Sequence, residues 1–368
     1  MKAAPVYAAL KALGPEHDVV LIHTGQHYDP EMSDVFLDEL ELSAPDDYLG
    51  IGSGTHAEQI GHALVAVEEV LLARRPALVV VFGDVNSTLA AALAAAKVEI
   101  PIAHVESGLR SFDLSMPEEL NRKLTDHMSS LLFVHSESAV ANLEREGIGT
   151  ESVYFVGNTM IDSLRGHVDV ARDRRPWQQL GLSQGSYGLV TLHRPELVDD
   201  SELLAATIVR LVELAKSHPL VFPVHPRTWT RIVDFGLERC ISANRIVVCD
   251  PIGYLDFIGL EAEARFVLTD SGGIQEETSA LGVRCFTMRD TTERPVTLDL
   301  GTNTLLGRDP TRIADIPQAL EERTPFHPIP LWDGKASFRA ADVLARFLAA
   351  GVETDGSRAR VTHVEPAG

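Results

Sequence analysis

The stretch from Phe266 to Glu277 constrains the fold more than any other. Phe266-Val267-Leu268-Thr269 is a short apolar run of the kind that forms a buried parallel strand. Asp270 and Ser271 make the turn, and Gly272-Gly273 open a helix with almost no side-chain bulk. Such a turn aims unpaired backbone N–H groups and the positive end of a helix at whatever lies beyond the strand. A phosphate suits that position. Glu276 and Glu277 follow within reach of a neighbouring sugar hydroxyl. Gly-Gly also serves simply to tighten a strand-to-helix turn, and this stretch alone does not choose between the two readings.

A chain of 368 residues exceeds the size at which a single core usually stops growing, which predicts two domains. With 45% hydrophobic and 23% charged residues the composition is that of a globular enzyme. The net charge of -21 argues against nucleic acid or an anionic membrane as a partner. An anionic substrate must therefore be met by local groups. The cysteines Cys240, Cys249 and Cys285 have no metal-ligand spacing and fit a reduced, cytoplasmic setting. No run is long enough to span a bilayer, and no apolar signal-peptide core opens the chain.

The chain opens with a helical pattern reaching Leu13-Gly14, then a strand from His17 to Thr24, whereas an α/β domain normally opens with a strand. The region up to Gly54 reads as irregular. Thr55 and Glu58 form a capping-box pattern for a helix to about Ala73. A strand from Ala77 to Phe82 ends in Gly83-Asp84, and an Ala-rich helix runs through Lys97. The strand Ile102 to Val105 closes on Glu106-Ser107-Gly108-Leu109-Arg110, and Pro117 suits the first turn of a helix carrying Glu118. Strands at Leu131 to Val134 and Val153 to Val156 continue the alternation of a doubly wound sheet. Ligands of such sheets lie beyond the carboxyl ends of the strands. Asp84, Glu106 and Glu118 would stand together there and repel, which raises a carboxyl toward useful acid–base range. Each also has a structural explanation: Asp84 as a helix cap, Glu106 in a pair with Arg110, Glu118 against a helix dipole.

A boundary is expected near Gly166, giving domains 1–166 and 167–335, and Arg172 to Gly185 reads as a polar loop. A second alternation follows. The strand Tyr187 to Leu192 runs into His193, Leu220 to Val224 into His225, and Cys285 to Met288 into Arg289. With Ser271 these residues supply cations and donors, where the first half supplies carboxylates. The histidines lack metal-ligand spacing. Residues 351–368 read as a frayed tail.

Thr24-Gly25-Gln26-His27, Gly83-Asp84, His104 to Arg110, Pro117-Glu118-Glu119, His193-Arg194, Asp270 to Glu277 and Met288 to Pro295 occur in the order of one family. From Lys2 to about Ala349 the chain resembles the UDP-N-acetylglucosamine 2-epimerases. The related diacetamido-uronate epimerases share several of these motifs, but Gln275-Glu276-Glu277 and Glu293-Arg294-Pro295 resemble the N-acetylglucosamine enzymes more. The resemblance implies two Rossmann-like, doubly wound α/β domains facing across a cleft, the glycosyltransferase-B architecture. It implies a homodimer, with a last helix, about 336–350, returning to the first domain. By this likeness Ser271, Gly272 and Gly273 hold the diphosphate of UDP, Glu277 the ribose, His193 a phosphate, and the segment at Phe257 the uracil. Asp84, Glu106 and Glu118 face the sugar, and Lys2, Arg110, His225 and Arg289 complete the binding set. The family's reaction is loss of the C2 proton and of UDP from C1, followed by return of UDP to the glycal. It needs no metal and no redox cofactor.

The departures carry expectations too. The family's opening strand and its Gly-Thr-Arg-Pro-Glu motif would precede Met1, so Met1 is expected to be an internal methionine of a longer reading frame. Gln26 matches one glutamine of the family's allosteric site, but Asp29 and Ser53 replace the other glutamine and the arginine, so substrate allostery is not expected. Competing readings are a hydrolysing epimerase, a glycosyltransferase that would need an acceptor groove, and a UDP-sugar sensor without turnover.

Overall fold

The computed structural model describes residues 1–15, 17–25, 39–40, 42–242, 245–322 and 326–352. Gln26, His27 and Asp29, and all of the expected tail beyond residue 352, lie outside them. The chain divides into two compact units, Met1–Ser163 with the segment from Pro330 onward, and Leu164–Ile329.

In the first unit β1 (Ile22–His23) pairs in parallel with β2 (Asp47–Tyr48). A second sheet has the order β3 (Val79–Phe82), β4 (Ile102–Val105), β5 (Leu131–Val134), β6 (Val153–Phe155), all parallel. The helices are α1 (Ala3–Lys11), α2 (His56–Arg74), α3 (Asn86–Lys97), α4 (Pro117–Met128) and α5 (Glu137–Arg145). Thr55 caps α2 with the full reciprocal box: the Glu58 N–H donates to Thr55 Oγ1 and the Thr55 N–H to Glu58 Oε2. The expected strand from His17 to Thr24 contracts to two ladder residues. Their partner, Asp47–Tyr48, falls in the stretch read as irregular, because its pairing is made by backbone groups such as Leu49 N–H to His23 O and not by an apolar alternation.

The expected loop from Arg172 is corrected as well. Helix α6 (Thr159–Arg174) runs on through Arg172. Its polar residues are the exposed face of a helix whose Ile161, Leu164 and Ala171 are buried at helical spacing.

The second unit holds β7 (Gly188–Thr191), β8 (Leu220–Pro223), β9 (Ile246–Cys249), β10 (Phe266–Thr269), β11 (Arg284–Thr287) and β12 (Asn303–Leu305). Its helices include α7 (Ser201–Ala215), α8 (Pro226–Asp234), α9 (Tyr254–Ala262) and α10 (Gly272–Leu281). The sheet is parallel throughout in the order β12-β11-β10-β7-β8-β9. The chain therefore winds outward from β7 to β9, then returns to the far side of β7 and winds the other way. This reversal puts the topological switch point between β7 and β10, where open α/β sheets bind ligands. Strand β10 is buried on both faces: Phe266 and Leu268 pack into one apolar cluster and Val267 into the other.

The last helix, α11 (Ala336–Val352), completes the first unit. Asp162 caps its start, accepting from Ala336 N–H at 3.1 Å and Ser337 N–H at 2.6 Å. Ala340, Val343 and Leu344 then join Ala103, Val105, Leu131 and Phe133 in one core cluster. Each fully buried large apolar side chain in it stabilises by roughly 1.5–3 kcal/mol.

Candidate functional site

In the first unit, two strand ends are locked together by a buried histidine. His104, in β4, lies 2.8 Å through Nε2 from the Gly83 carbonyl and 2.7 Å through Nδ1 from Asp126. Glu106 follows β4 with φ 70. A left-handed backbone at a residue with a long side chain costs about 1–2 kcal/mol and persists only where the surroundings impose it. Here Glu106 N–H and Ser107 N–H both donate to the Phe133 carbonyl. The carboxylate so placed forms an ion pair with Lys2. Lys2 also stands against Gly83: a Cβ at Gly83 would lie 3.2 Å from its Nζ.

Asp84 does not cap α3, where no side-chain cap is made. Its carboxylate takes Arg122 Nε at 3.0 Å and Nη2 at 2.5 Å. Arg122 also reaches Glu119 at 2.9 Å, and Glu119 in turn holds Ser111 N–H and Oγ, each at 2.9 Å. Glu118 sits half-buried in the first turn of α4, one turn before Arg122. Among the three expected acids, two are thus each set against a cation, so bare carboxylate repulsion does not describe this cluster.

Arg110 needs correction. It is not the partner of Glu106, nor does it present a donor to a substrate. Its guanidinium is buried, 2.7 Å from Asp126 and 2.6 Å from Glu146. Burial opposes its charge, but these two carboxylates outweigh the burial and raise its pKa. Gly108, beside it, is required sterically: φ is +77 and a Cβ would meet the Ala139 carbonyl oxygen at 2.6 Å.

In the second unit the switch point is occupied by the stretch from Asp270 to Gly273. Ser271 stands at the N-cap of α10 and its hydroxyl does not cap its own helix. The first N–H groups of α10 have no helical acceptor by construction. Gly272 is needed for a second reason, which the sequence did not indicate. A Cβ there would come within 2.4 Å of Arg294 Nη1 and 2.7 Å of Glu293 Oε1. Arg294 pairs with Glu276 at 3.0 Å and with Glu293, and Glu293 takes Arg289 at 2.7 Å. The Gln-Glu-Glu and Glu-Arg-Pro motifs are therefore one buried network, and Arg289 lies within it, 7% exposed.

The two histidines meet here. Their ring centroids are 5.9 Å apart. His193 is half-exposed, and its Nδ1 lies 3.0 Å from Asp270 Oδ1, a close approach that is not an aligned hydrogen bond. Asp270 is fully buried, and its Oδ2 accepts the backbone N–H groups of His193 and Arg194 at 2.8 Å each. Burial alone would raise the Asp270 carboxyl, but His193 and these N–H groups outweigh it and hold it below its usual range. His225 caps α8, its Nδ1 accepting from Arg227 N–H at 3.2 Å. Partial burial and the nearby His193 and Arg227 push its pKa down.

Glu277 is 4% exposed, 3.5 Å from the Tyr254 hydroxyl, and burial together with the adjacent Glu276 pushes it up to about 8. Behind it, on α9, stands Glu261, fully buried and with no hydrogen-bond partner for either oxygen among the described residues. Burial and Glu277 raise it well above the ordinary carboxyl range. Phe257 is half-buried against the apolar cluster under β10. Sequence reasoning missed Asp270 as more than a turn residue, and Glu261 and Arg122 altogether. The readable signal for Asp270 was that two neighbouring strands, β7 and β10, end just before His193 and just before Asp270.

Two Rossmann-like α/β units of parallel strands, one with a Ser-Gly-Gly turn at its switch point, define the glycosyltransferase-B class of fold. Solved structures bear this out. One is the Methanocaldococcus jannaschii UDP-GlcNAc 2-epimerase in complex with UDP-GlcNAc and UDP: TM-score 0.87, 41% identity, 94% of this chain and 96% of that one. Another is the UDP-GlcNAc 2-epimerase of Neisseria meningitidis bound to UDP-GlcNAc, with TM-score 0.84, 31% identity and coverage of 94% and 96%. Among sequences, the UDP-N-acetylglucosamine 2-epimerase of Methanococcus maripaludis is 42% identical, over 86% of this chain and 88% of its own. A UDP-2,3-diacetamido-2,3-dideoxy-D-glucuronate 2-epimerase of Pseudomonas aeruginosa is 40% identical over 89% and 91%. Residues 11–345 match the UDP-N-acetylglucosamine 2-epimerase family, and the chain belongs to it. It is an epimerase.

Proposed function

We propose that the chain interconverts UDP-N-acetylglucosamine and UDP-N-acetylmannosamine without hydrolysis. The C2 proton is removed as the C1–oxygen bond to UDP breaks, leaving a C1–C2 double bond. UDP then returns to C1 while a proton is delivered to the opposite face of C2. The observation that carries this reading is a division of chemistry between strand ends. Asp84 and the left-handed Glu106 stand beyond β3 and β4, while the first N–H groups of α10, which have no helical acceptor, stand beyond β10, with His193 and His225 beyond β7 and β8. Ser271, Gly272 and Gly273 hold the diphosphate, with His193 beside it, and Glu277 takes the ribose. Asp84 and Glu118 are the proton-transfer pair, with Glu106 and Lys2 beside the sugar. The C2 hydrogen is not acidic, so stabilising the departing diphosphate carries much of the barrier.

The test is incubation with UDP-N-acetylglucosamine in heavy water, with separation of the products. Solvent deuterium at C2 of both epimers is expected. Retention of the original hydrogen would refute elimination, and release of free N-acetylmannosamine would make the enzyme hydrolysing. The diacetamido-glucuronate nucleotide belongs in the same assay, given the Pseudomonas relative. A homodimer in the cytoplasm belongs to the reading. Phe112, Leu114, Leu120 and Leu124, exposed on the first unit, support a second copy as partner, and light scattering tests it.

A further inference from the structure

Two imidazoles lie side by side at the switch point, and their surroundings differ. His225 uses Nδ1 as an acceptor for the Arg227 N–H, which fixes its neutral form with the proton on Nε2. His193 has a buried carboxylate behind Nδ1. Rings 5.9 Å apart do not both take a positive charge cheaply, and Asp270 decides which one does. We infer that Asp270 is the positioning residue for His193: its carboxylate, 3.0 Å from Nδ1, favours the proton of the neutral ring on that nitrogen, leaves Nε2 for the ligand side, and lets the ring take a second proton from solvent when a diphosphate binds.

The geometry favours this division. Asp270 is anchored on Oδ2 by two backbone N–H groups, at His193 and Arg194, so Oδ1 is left facing the ring. Arg194 directs its Nε to the Asp270 carbonyl at 2.9 Å. Arg227, on α8, is paired with Asp199 and stands behind His225, adding a positive neighbour to that ring. The charged and titratable groups seen about His193 include Asp270 just after β10, His225 and Arg227 from the start of α8, and Arg194 beside it. Asp270 is the acid in direct contact with the His193 ring, and Asp199 is taken up by Arg227. The balance of the step is simple: neutral imidazole plus one proton from solvent gives imidazolium, whose Nε2–H donates to a phosphate oxygen. In the epimerase reaction the same charge meets the oxygen of the departing diphosphate. The inference rests on the proposed function, in which this turn holds the diphosphate.

Calorimetry of UDP binding at pH 7.5, in two buffers of different ionisation enthalpy, reads the proton directly. The wild-type protein is expected to take up roughly half a proton from solvent as the diphosphate binds. In Asp270→Asn the remaining carbonyl oxygen still accepts the two backbone N–H groups, UDP still binds, and the uptake falls close to zero. His193→Gln should also lose the uptake, and His225→Gln should keep it. The nucleotide's own terminal phosphate contributes equally to all four proteins, so the differences are read. Turnover of Asp270→Asn should fall roughly 100-fold or more with KM changed only a few-fold, the scale of a lost general acid. Uptake unchanged in Asp270→Asn or in His193→Gln, or lost in His225→Gln, overturns the inference. So does wild-type binding without uptake, which leaves the diphosphate site itself standing. No UDP binding at all removes both.

Discussion

Replacing Glu261 by methionine should make the protein more stable, and increasingly so as pH rises. Glu261 is fully exposed to neither water nor a partner: it is buried on α9 and both carboxyl oxygens lack hydrogen bonds among the described residues. A buried polar group left unsatisfied costs on the order of 1–3 kcal/mol, and methionine keeps the length and adaptability of the side chain. The pH dependence follows from proton counting. In the unfolded chain the carboxyl releases its proton near 4.5, whereas burial and the Glu277 charge keep the folded carboxyl protonated well above that. The folded chain therefore holds the extra proton, and stability falls as pH rises from about 4.5, by at most ~1.4 kcal/mol per pH unit for each such proton. Glu277, pushed up to about 8, adds the same trend over its own window. Glu261→Met removes one proton from this difference, so its advantage should widen by a further ~1–4 kcal/mol between pH 5 and pH 8. Urea unfolding by circular dichroism at pH 5.5, 7 and 8 gives the midpoints, and an unchanged slope with denaturant keeps the comparison valid. Equal midpoints at pH 8, or wild-type and variant midpoints running parallel with pH, would refute the reasoning.

Other outcomes follow from the same contacts. Glu106→Gln and Glu118→Gln should each cut epimerase turnover by roughly 100-fold or more while UDP affinity by calorimetry stays near normal. Gly272→Ala should weaken UDP binding and cost about 1–3 kcal/mol of stability, because its Cβ meets an Arg294 that Glu276 and Glu293 hold in place. Arg110→Met should lower stability by about 3–5 kcal/mol in denaturant titration, since it strands the carboxylate of Asp126 in the core. Ser271→Ala should lose no more than ~1–2 kcal/mol of UDP binding, the worth of one hydroxyl.

Much of this was legible in the sequence because parallel strands are short apolar runs and their carboxyl ends are marked by polar turns. Leu131–Val134 and Phe266–Thr269 could be bounded to the residue on that basis. The places of Asp84, Glu106, His193 and Ser271 followed from those ends. What the sequence hid were properties that depend on a partner far along the chain. Arg110 looks like a ligand for an anion until Glu146 is brought beside it. Gly272 looks like a phosphate glycine until Arg294 is found packed on it. Glu261 reads as one more polar residue of a helix, and only the packing of α9 against α10 makes it a buried acid. The two-residue ladder of β1 with β2 had no apolar pattern to announce it.

The capping of α11 by Asp162 has a consequence for the order in which the protein is made. The second unit is one continuous piece of chain, Leu164–Ile329, so every strand of its sheet has been synthesised before Pro330 is added. The first unit is not. Its core is short of Ala340, Val343 and Leu344, and Asp162 has no helix to cap, until the whole second unit has been translated. During that interval Val105 and Phe133 lack the helix that covers them. The domain synthesised first is thus the one that finishes last, and the nascent chain's exposure to chaperones and proteases is set by the time needed to translate the whole second unit.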